Sequence, residues 1–114
     1  MNIKRGGIFL ANLDPVVGRE IAKTRPVIVV SNDKNNTYSG TVTILPVTSR
    51  NPGKIYPFEV FLPKGAGNLP KNSRVKADQI RTIDNRRIVK FMGQIDAGDM
   101  DQVENAIKIH LGLA

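Results

Sequence analysis

Cysteine and tryptophan are absent from this sequence of 114 residues, and histidine occurs once, as His110. Without cysteine there is no disulfide and no thiolate metal ligand, a composition suited to a reducing compartment. With His110 alone, two histidines cannot share acid–base work, and a Ser-His-Asp triad would have to recruit a residue from the far end of the chain. Gly6-Gly7 and Gly65-Ala66-Gly67 are not followed by Lys-Ser or Lys-Thr at the spacing of a phosphate-binding loop. Asp99 and Asp101 fall at a predicted helix start, where residues two apart do not share a face. No metal and no cofactor are therefore expected. No apolar run approaches the ~20 residues of a membrane span, and the opening MNIKRGGIFLANLD lacks the long apolar core of a secretory signal. A soluble, cytoplasmic protein with no membrane partner is the expectation.

Charge of one sign is also scarce. Ten acidic residues face seventeen basic ones, a net of +7. The acids gather late: residues 95–114 hold Asp96, Asp99, Asp101 and Glu104 against Lys108, a net of −3, so residues 1–94 carry +10. A basic body with an acidic end fits a polyanion held by the body; basic surface that merely keeps a small protein soluble is the other reading.

What is present is mostly strand-like. Residues 8–12, 26–31, 41–47, 56–62, 74–77 and 88–94 are apolar or β-branched runs separated by turn formers. Tyr56, Phe58, Val60 and Leu62 fall on one face at period two. The stretches 17–25, 33–36 and 63–70 read as loops, the last as a flexible one. The end differs: Asp96 is a candidate N-cap, Met100, Val103, Ile107 and Leu111 recur at helical spacing, and Gly112 can close the helix. His110 would then sit near the negative pole of the helix dipole. A single domain spanning 1–114 is expected, mostly β with a C-terminal helix, a small barrel.

At the strand ends stand Arg, Lys, Thr, Asp and Gln. Such groups can cleave RNA through its own 2′-hydroxyl without a metal, since the substrate brings the nucleophile and the protein stabilises the phosphorane and moves protons. Arg25 is the notable case: Pro26 pushes it toward an extended conformation at the mouth of the strand 26–31. It is a surface charge or a guanidinium aimed at a phosphate. If Thr48 ends a strand that pairs with 26–31, the two side chains meet at one groove.

Gly18-Arg19-Glu20, Arg25-Pro26-Val27, Ser31-Asn32-Asp33, Pro46-Val47-Thr48-Ser49, Tyr56-Pro57-Phe58-Glu59-Val60 and Ala77-Asp78-Gln79-Ile80-Arg81-Thr82-Ile83-Asp84 follow one another in an order that resembles the MazF/PemK family of toxin endoribonucleases. The resemblance implies an SH3-like barrel of PemK/CcdB type. It also implies a homodimer that cuts single-stranded RNA at short specific sequences without metal, leaving a 2′,3′-cyclic phosphate and a 5′-hydroxyl. A partner antitoxin with an acidic, partly disordered tail is implied as well. It places the catalytic pair on Arg25 and Thr48. Asp78 stands where some members have a base, with Lys76 two residues before it; a carboxylate that holds loop amides is the alternative. Arg19 and Lys23 are implied phosphate contacts, with solvent exposure as their alternative. Glu20, Ser49, Tyr56 and Gln79 complete the implied RNA-binding set with Lys76.

The chain departs from the family before Arg25. Many members have Glu-Gln and a glycine where this one reads Glu20-Ile21-Ala22-Lys23-Thr24, and some have a histidine in place of Arg19. Ile21 removes an amide, and Lys23 is expected to remove backbone freedom. Two other readings differ in class. A non-catalytic RNA-binding barrel would rely on stacking, for which two tyrosines and four phenylalanines are few. A CcdB-like gyrase poison would need a tryptophan-containing tail, whereas this chain ends Leu111-Gly112-Leu113-Ala114.

Overall fold

Apolar residues run unbroken through 27–30 because both faces of that strand are covered. In the computed structural model, which describes residues 1–113, Val27 and Val29 pack with Phe9, Ala11, Val42 and Ile44. Ile28 and Val30 pack on the other side with Ile8, Leu45, Val47 and Val60. Alternating side chains thus feed two apolar clusters, one on each face.

Among the described residues, the strands are β1 (Gly7–Asn12), β2 (Thr24–Val29), β3 (Thr41–Thr48), β4 (Glu59–Leu62), β5 (Ser73–Lys76), β6 (Arg81–Asp84) and β7 (Ile88–Gln94). Their order is β4-β5-β3-β2-β1-β7, with β6 also beside β3, and every pairing is antiparallel. The order ends on β4 and on β7, so the sheet is open and barrel-like rather than a closed ring. β3 carries most of the architecture: it meets β2 through Ile44 to Pro46, β6 through Thr41 to Ile44, and β5 through Val47 and Thr48.

The C-terminal helix α2 (Ala97–Leu111) starts and stops where its residue types direct. The Asp96 side chain accepts from the Asp99 amide at 2.8 Å, and Gly112 takes φ 70°, a left-handed turn that suits glycine. Val103 and Ala106 are buried against the sheet, with Met100 and Ile107 beside them. Leu111, expected on that face, is exposed as the last residue of the helix. Arg5 ties the helix down: its guanidinium donates to the Val30 carbonyl and meets Glu104 at 2.6 Å.

Several local expectations are corrected. Residues 33–36 belong to a short helix, α1 (Asp33–Tyr38), because the Asn32 side chain caps it by accepting from the Asn35 amide and buried Asn36 bonds Ser31. The predicted strand 56–62 shortens to β4, since the Glu59 amide donates to the Tyr56 carbonyl in a turn and Glu59 Oε1 accepts from the Tyr56 amide. β6 has no counterpart in the sequence reading; its apolar content is thin, and pairing with β3 makes it a strand. The loop 63–70 packs tightly through a turn at Ala66–Asn68. A Cβ on Gly67, whose φ is 53°, would stand 2.4 Å from Ile8 Cδ1. Gly67→Ala is therefore expected to cost about 2–3 kcal/mol, from overpacking and backbone strain together, measured as a lower urea midpoint with unchanged slope.

Candidate active site

Arg25 lies inside β2 rather than at its mouth. The β1–β2 ladder continues past it, pairing Ala11 with Arg25 and Asn12 with Thr24. Alternation turns its side chain to the face of Val27 and Val29. There Nε donates to the Ala22 carbonyl at 2.8 Å. Among the described residues, no hydrogen bond or ion pair occupies the terminal guanidinium nitrogens of Arg25. A half-buried cation aimed by one backbone bond, with its remaining donors free, is an anion site in waiting.

Thr48 arrives from the neighbouring strand. The β2–β3 pairs run Val29–Ile44, Ile28–Leu45 and Val27–Pro46. Carried two residues further, that register faces Arg25 with Thr48, on the side of Val42 and Ile44. Thr48 is 6% exposed, and its Oγ1 accepts from the Arg50 amide at 3.2 Å. The hydroxyl proton is thereby left to donate elsewhere.

On the same face lies a concavity of about 340 Å³, lined by Glu20, Ile21, Pro46, Asp78, Gln79 and Arg81. Gln79 ties its two walls together: Oε1 accepts from the Ile21 amide at 3.2 Å and Nε2 donates to the Arg19 carbonyl at 3.5 Å. Glu20 Oε1 accepts from the Val17 amide at 2.8 Å. Asp78 Oδ1 is buried without a hydrogen-bond partner, with Lys76 Nζ 3.6 Å away. Glu20, Asp78 and Gln79, scattered over the sequence, thus line one concavity, of which neither Arg25 nor Thr48 is a lining residue.

Other expected residues lie elsewhere. Ser49 lines a larger cleft of about 680 Å³ with Pro26, Lys71, Lys90 and Phe91, which Arg25 also borders. Arg19 and Lys23 are exposed. Lys23 adopts φ 70°, held by its amide on Asp14 Oδ1 at 3.0 Å, so the loop keeps a left-handed turn despite the lysine. Tyr56 stacks on Phe58 with centroids 5.7 Å apart and planes 4° apart. Lys54 covers the Tyr56 ring at 5.4 Å and Lys76 lies 6.0 Å from that of Phe58. His110, in the last turn of α2 as expected, lies against Phe58.

The sequence reading missed Glu59 as a charge centre. Its side chain is wholly buried, with Lys76 Nζ at 2.8 Å and Arg74 Nη1 at 3.1 Å. A signal existed: an acid inside an apolar run, and two cations at alternate positions of the strand that pairs with it. Burial pushes the Glu59 carboxyl up, but the hydrogen bonds from Lys76 and the Tyr56 amide and the charges of Lys76 and Arg74 bring it below its ordinary value. A carboxylate with a depressed folded pKa contributes stability that is complete above its unfolded value and lost as pH falls through the folded one. Unfolding of Glu59→Gln is accordingly expected to show a flatter acid limb of stability against pH than the parent.

Among the described residues, no group of three or more His, Cys, Asp or Glu is placed to hold a metal ion, and no helix is long and apolar enough to cross a membrane. Fold and site together define a small, basic, barrel-like β domain with an arginine whose terminal guanidinium nitrogens are unoccupied among the described residues. Residues 4–111 match the model of the PemK-like, MazF-like toxins of type II toxin–antitoxin systems. The chain belongs to that family. It is 38% identical to endoribonuclease MazF9 of Mycobacterium tuberculosis (strain ATCC 25618 / H37Rv), over 97% of this chain and 98% of that protein. It superposes on MazF of Deinococcus radiodurans with a TM-score of 0.85 at 32% identity, covering 98% of each chain. A second crystal structure, a MazE–MazF complex from Deinococcus radiodurans, matches at 0.78 and 28% identity, covering 100% of this chain and 99% of that one.

Proposed function

We propose that this chain, acting as one toxin domain over 1–114, is an endoribonuclease that cleaves single-stranded RNA without metal by attack of the ribose 2′-hydroxyl on its own phosphodiester. The observation that carries it is the Arg25 guanidinium, held by the Ala22 carbonyl with its terminal donors unoccupied among the described residues; the β2–β3 register, extended two residues past its last pair, would set Thr48 opposite. Arg25 clamps the phosphorane and donates a proton toward the leaving 5′-oxygen. Thr48 supplies a second donor to a non-bridging oxygen. Asp78, whose side chain is partly exposed in the concavity, takes the 2′-proton. The products are a 2′,3′-cyclic phosphate and a 5′-hydroxyl.

Glu20 and Gln79, on the rim of the same concavity, contact the nucleotides beside the scissile bond. Arg19 and Lys23 extend the cationic surface, and Ser49, Tyr56 and Lys76 lie along the path of the strand. The working form is a homodimer, neutralised by an antitoxin with an acidic segment; the MazE–MazF complexes of a relative and the basic body of this chain support that partner.

Incubating purified protein with a defined RNA in EDTA tests the function. New ends carrying a cyclic phosphate are expected. The Tyr56–Phe58 stack with its flanking lysines favours a plain single-strand binder as the second reading, and RNA left intact by excess protein would select it. In either case affinity is expected to fall with salt at a log–log slope of about 0.7 per phosphate neutralised, and flat binding would remove the basic body from the RNA surface.

A further inference from the structure

The proposed chemistry leaves Glu59 unused, although its buried carboxylate is joined to Thr48 by an unbroken chain of contacts. Glu59 Oε1 and Oε2 accept from Arg74 Nη1 at 3.1 and 3.2 Å. The same guanidinium donates from Nε to the Arg50 carbonyl at 2.9 Å. The Arg50 amide donates to Thr48 Oγ1 at 3.2 Å. Arg74 and Thr48 also face each other in the β3–β5 ladder, so the relay is short, with Arg50 just past the end of β3 as its link off the strands.

Each link has one physical task. A buried carboxylate in contact with two cations adds little net stability but fixes where those cations point. Arg74 uses two nitrogens of one planar group at once, which the single ammonium of lysine cannot span. Arg74 holds the Arg50 carbonyl, and the Arg50 N–H, which lies on the preceding peptide across that residue's φ and ψ, donates to the threonine oxygen. With that lone pair occupied, the Thr48 hydroxyl rotor is restricted and its proton has a defined direction.

We infer that Glu59 is a positioning residue for RNA cleavage, acting through Arg74 and the backbone of Arg50 to aim the Thr48 hydroxyl at the scissile phosphate. The inference rests on the ribonuclease reading above and adds to it the device that pre-organises one of its donors.

The test compares the parent with Glu59→Gln and Arg74→Lys on a defined RNA oligonucleotide, measuring kcat and KM, and follows exchange of the Arg50 amide by NMR. Both variants are expected to lose on the order of 10- to 100-fold in kcat, the scale of a misplaced group, with KM little changed. The Arg50 amide is expected to exchange faster in both. In a Thr48→Val background, Arg74→Lys is expected to cost almost nothing further, because the relay then has no hydroxyl to aim. Should Glu59→Gln fail to fold, Arg74→Lys carries the test alone. A lower Tm with the parental kcat would overturn the inference by making Glu59 structural only. So would a raised KM at constant kcat, which would make Arg74 a direct RNA contact, or an Arg74→Lys loss of full size without Thr48. A parent protein inert toward RNA would overturn the ribonuclease reading and this inference together, whereas a cleaving parent matched by both variants would overturn this inference alone.

Discussion

Arg25→Ala is expected to lower RNA cleavage by about 10²- to 10³-fold, the range seen when one donor is removed from a developing oxyanion. The phosphorane carries more negative charge than the diester it forms from, so a guanidinium fixed beside it stabilises the transition state more than the ground state. The loss should therefore lie mainly in kcat, with a smaller rise in KM. Arg25 is tied down by a single bond from Nε to the Ala22 carbonyl and belongs to neither apolar cluster, so alanine is expected to leave the sheet intact. Arg25→Lys separates charge from shape. A lysine retains the charge but not the fork that meets Ala22 and a phosphate together, and it is expected to recover only part of the rate. Single-turnover cleavage of a labelled oligonucleotide, with circular dichroism as the check on folding, decides it. Cleavage by Arg25→Ala at the parental rate would remove the guanidinium from the mechanism.

Asp78→Asn is expected to have the second large effect, about 10²-fold or more, because the amide keeps the shape and loses the base. The carboxylate stands at the rim of the concavity shared with Glu20 and Gln79, one oxygen buried without a hydrogen-bond partner and the Lys76 ammonium 3.6 Å away. Lys76 is closer to Glu59, at 2.8 Å, so its strongest contact lies away from Asp78. Single-turnover cleavage of one labelled oligonucleotide by the parent and by Asp78→Asn is the discriminating readout. Near-normal cleavage by Asp78→Asn, alongside loss in Arg25→Ala, would mean that Asp78 serves the loop and that the 2′-proton leaves by another route.

Strands that bury both faces were legible as apolar runs, and α2 was legible from Asp96 and Gly112, because a cap and a left-handed stop are local chemistry. The start of β2 was not. Thr24 and Arg25 join that strand only because Asn12 and Ala11 lie beside them. β6 is likewise a strand by pairing, and the turn that removes Tyr56 and Phe58 from β4 depends on the Glu59 carboxylate. The site divides in the same way: the motifs name Arg25, Thr48 and Asp78, but not that Arg25 borders one cleft with Ser49 while Asp78 lines another.

Local residue chemistry alone determined that this protein is small, basic, mostly β, closed by one capped helix, and built around an arginine stiffened by the proline after it. Tertiary structure alone decided which faces those side chains share. A strand's pattern records that a residue is buried but not against what, and the partners here are set by antiparallel registers between distant segments. That is how Glu59, an acid in an apolar run, came to lie between Arg74 and Lys76, and how Arg74 came to hold the peptide beside Thr48.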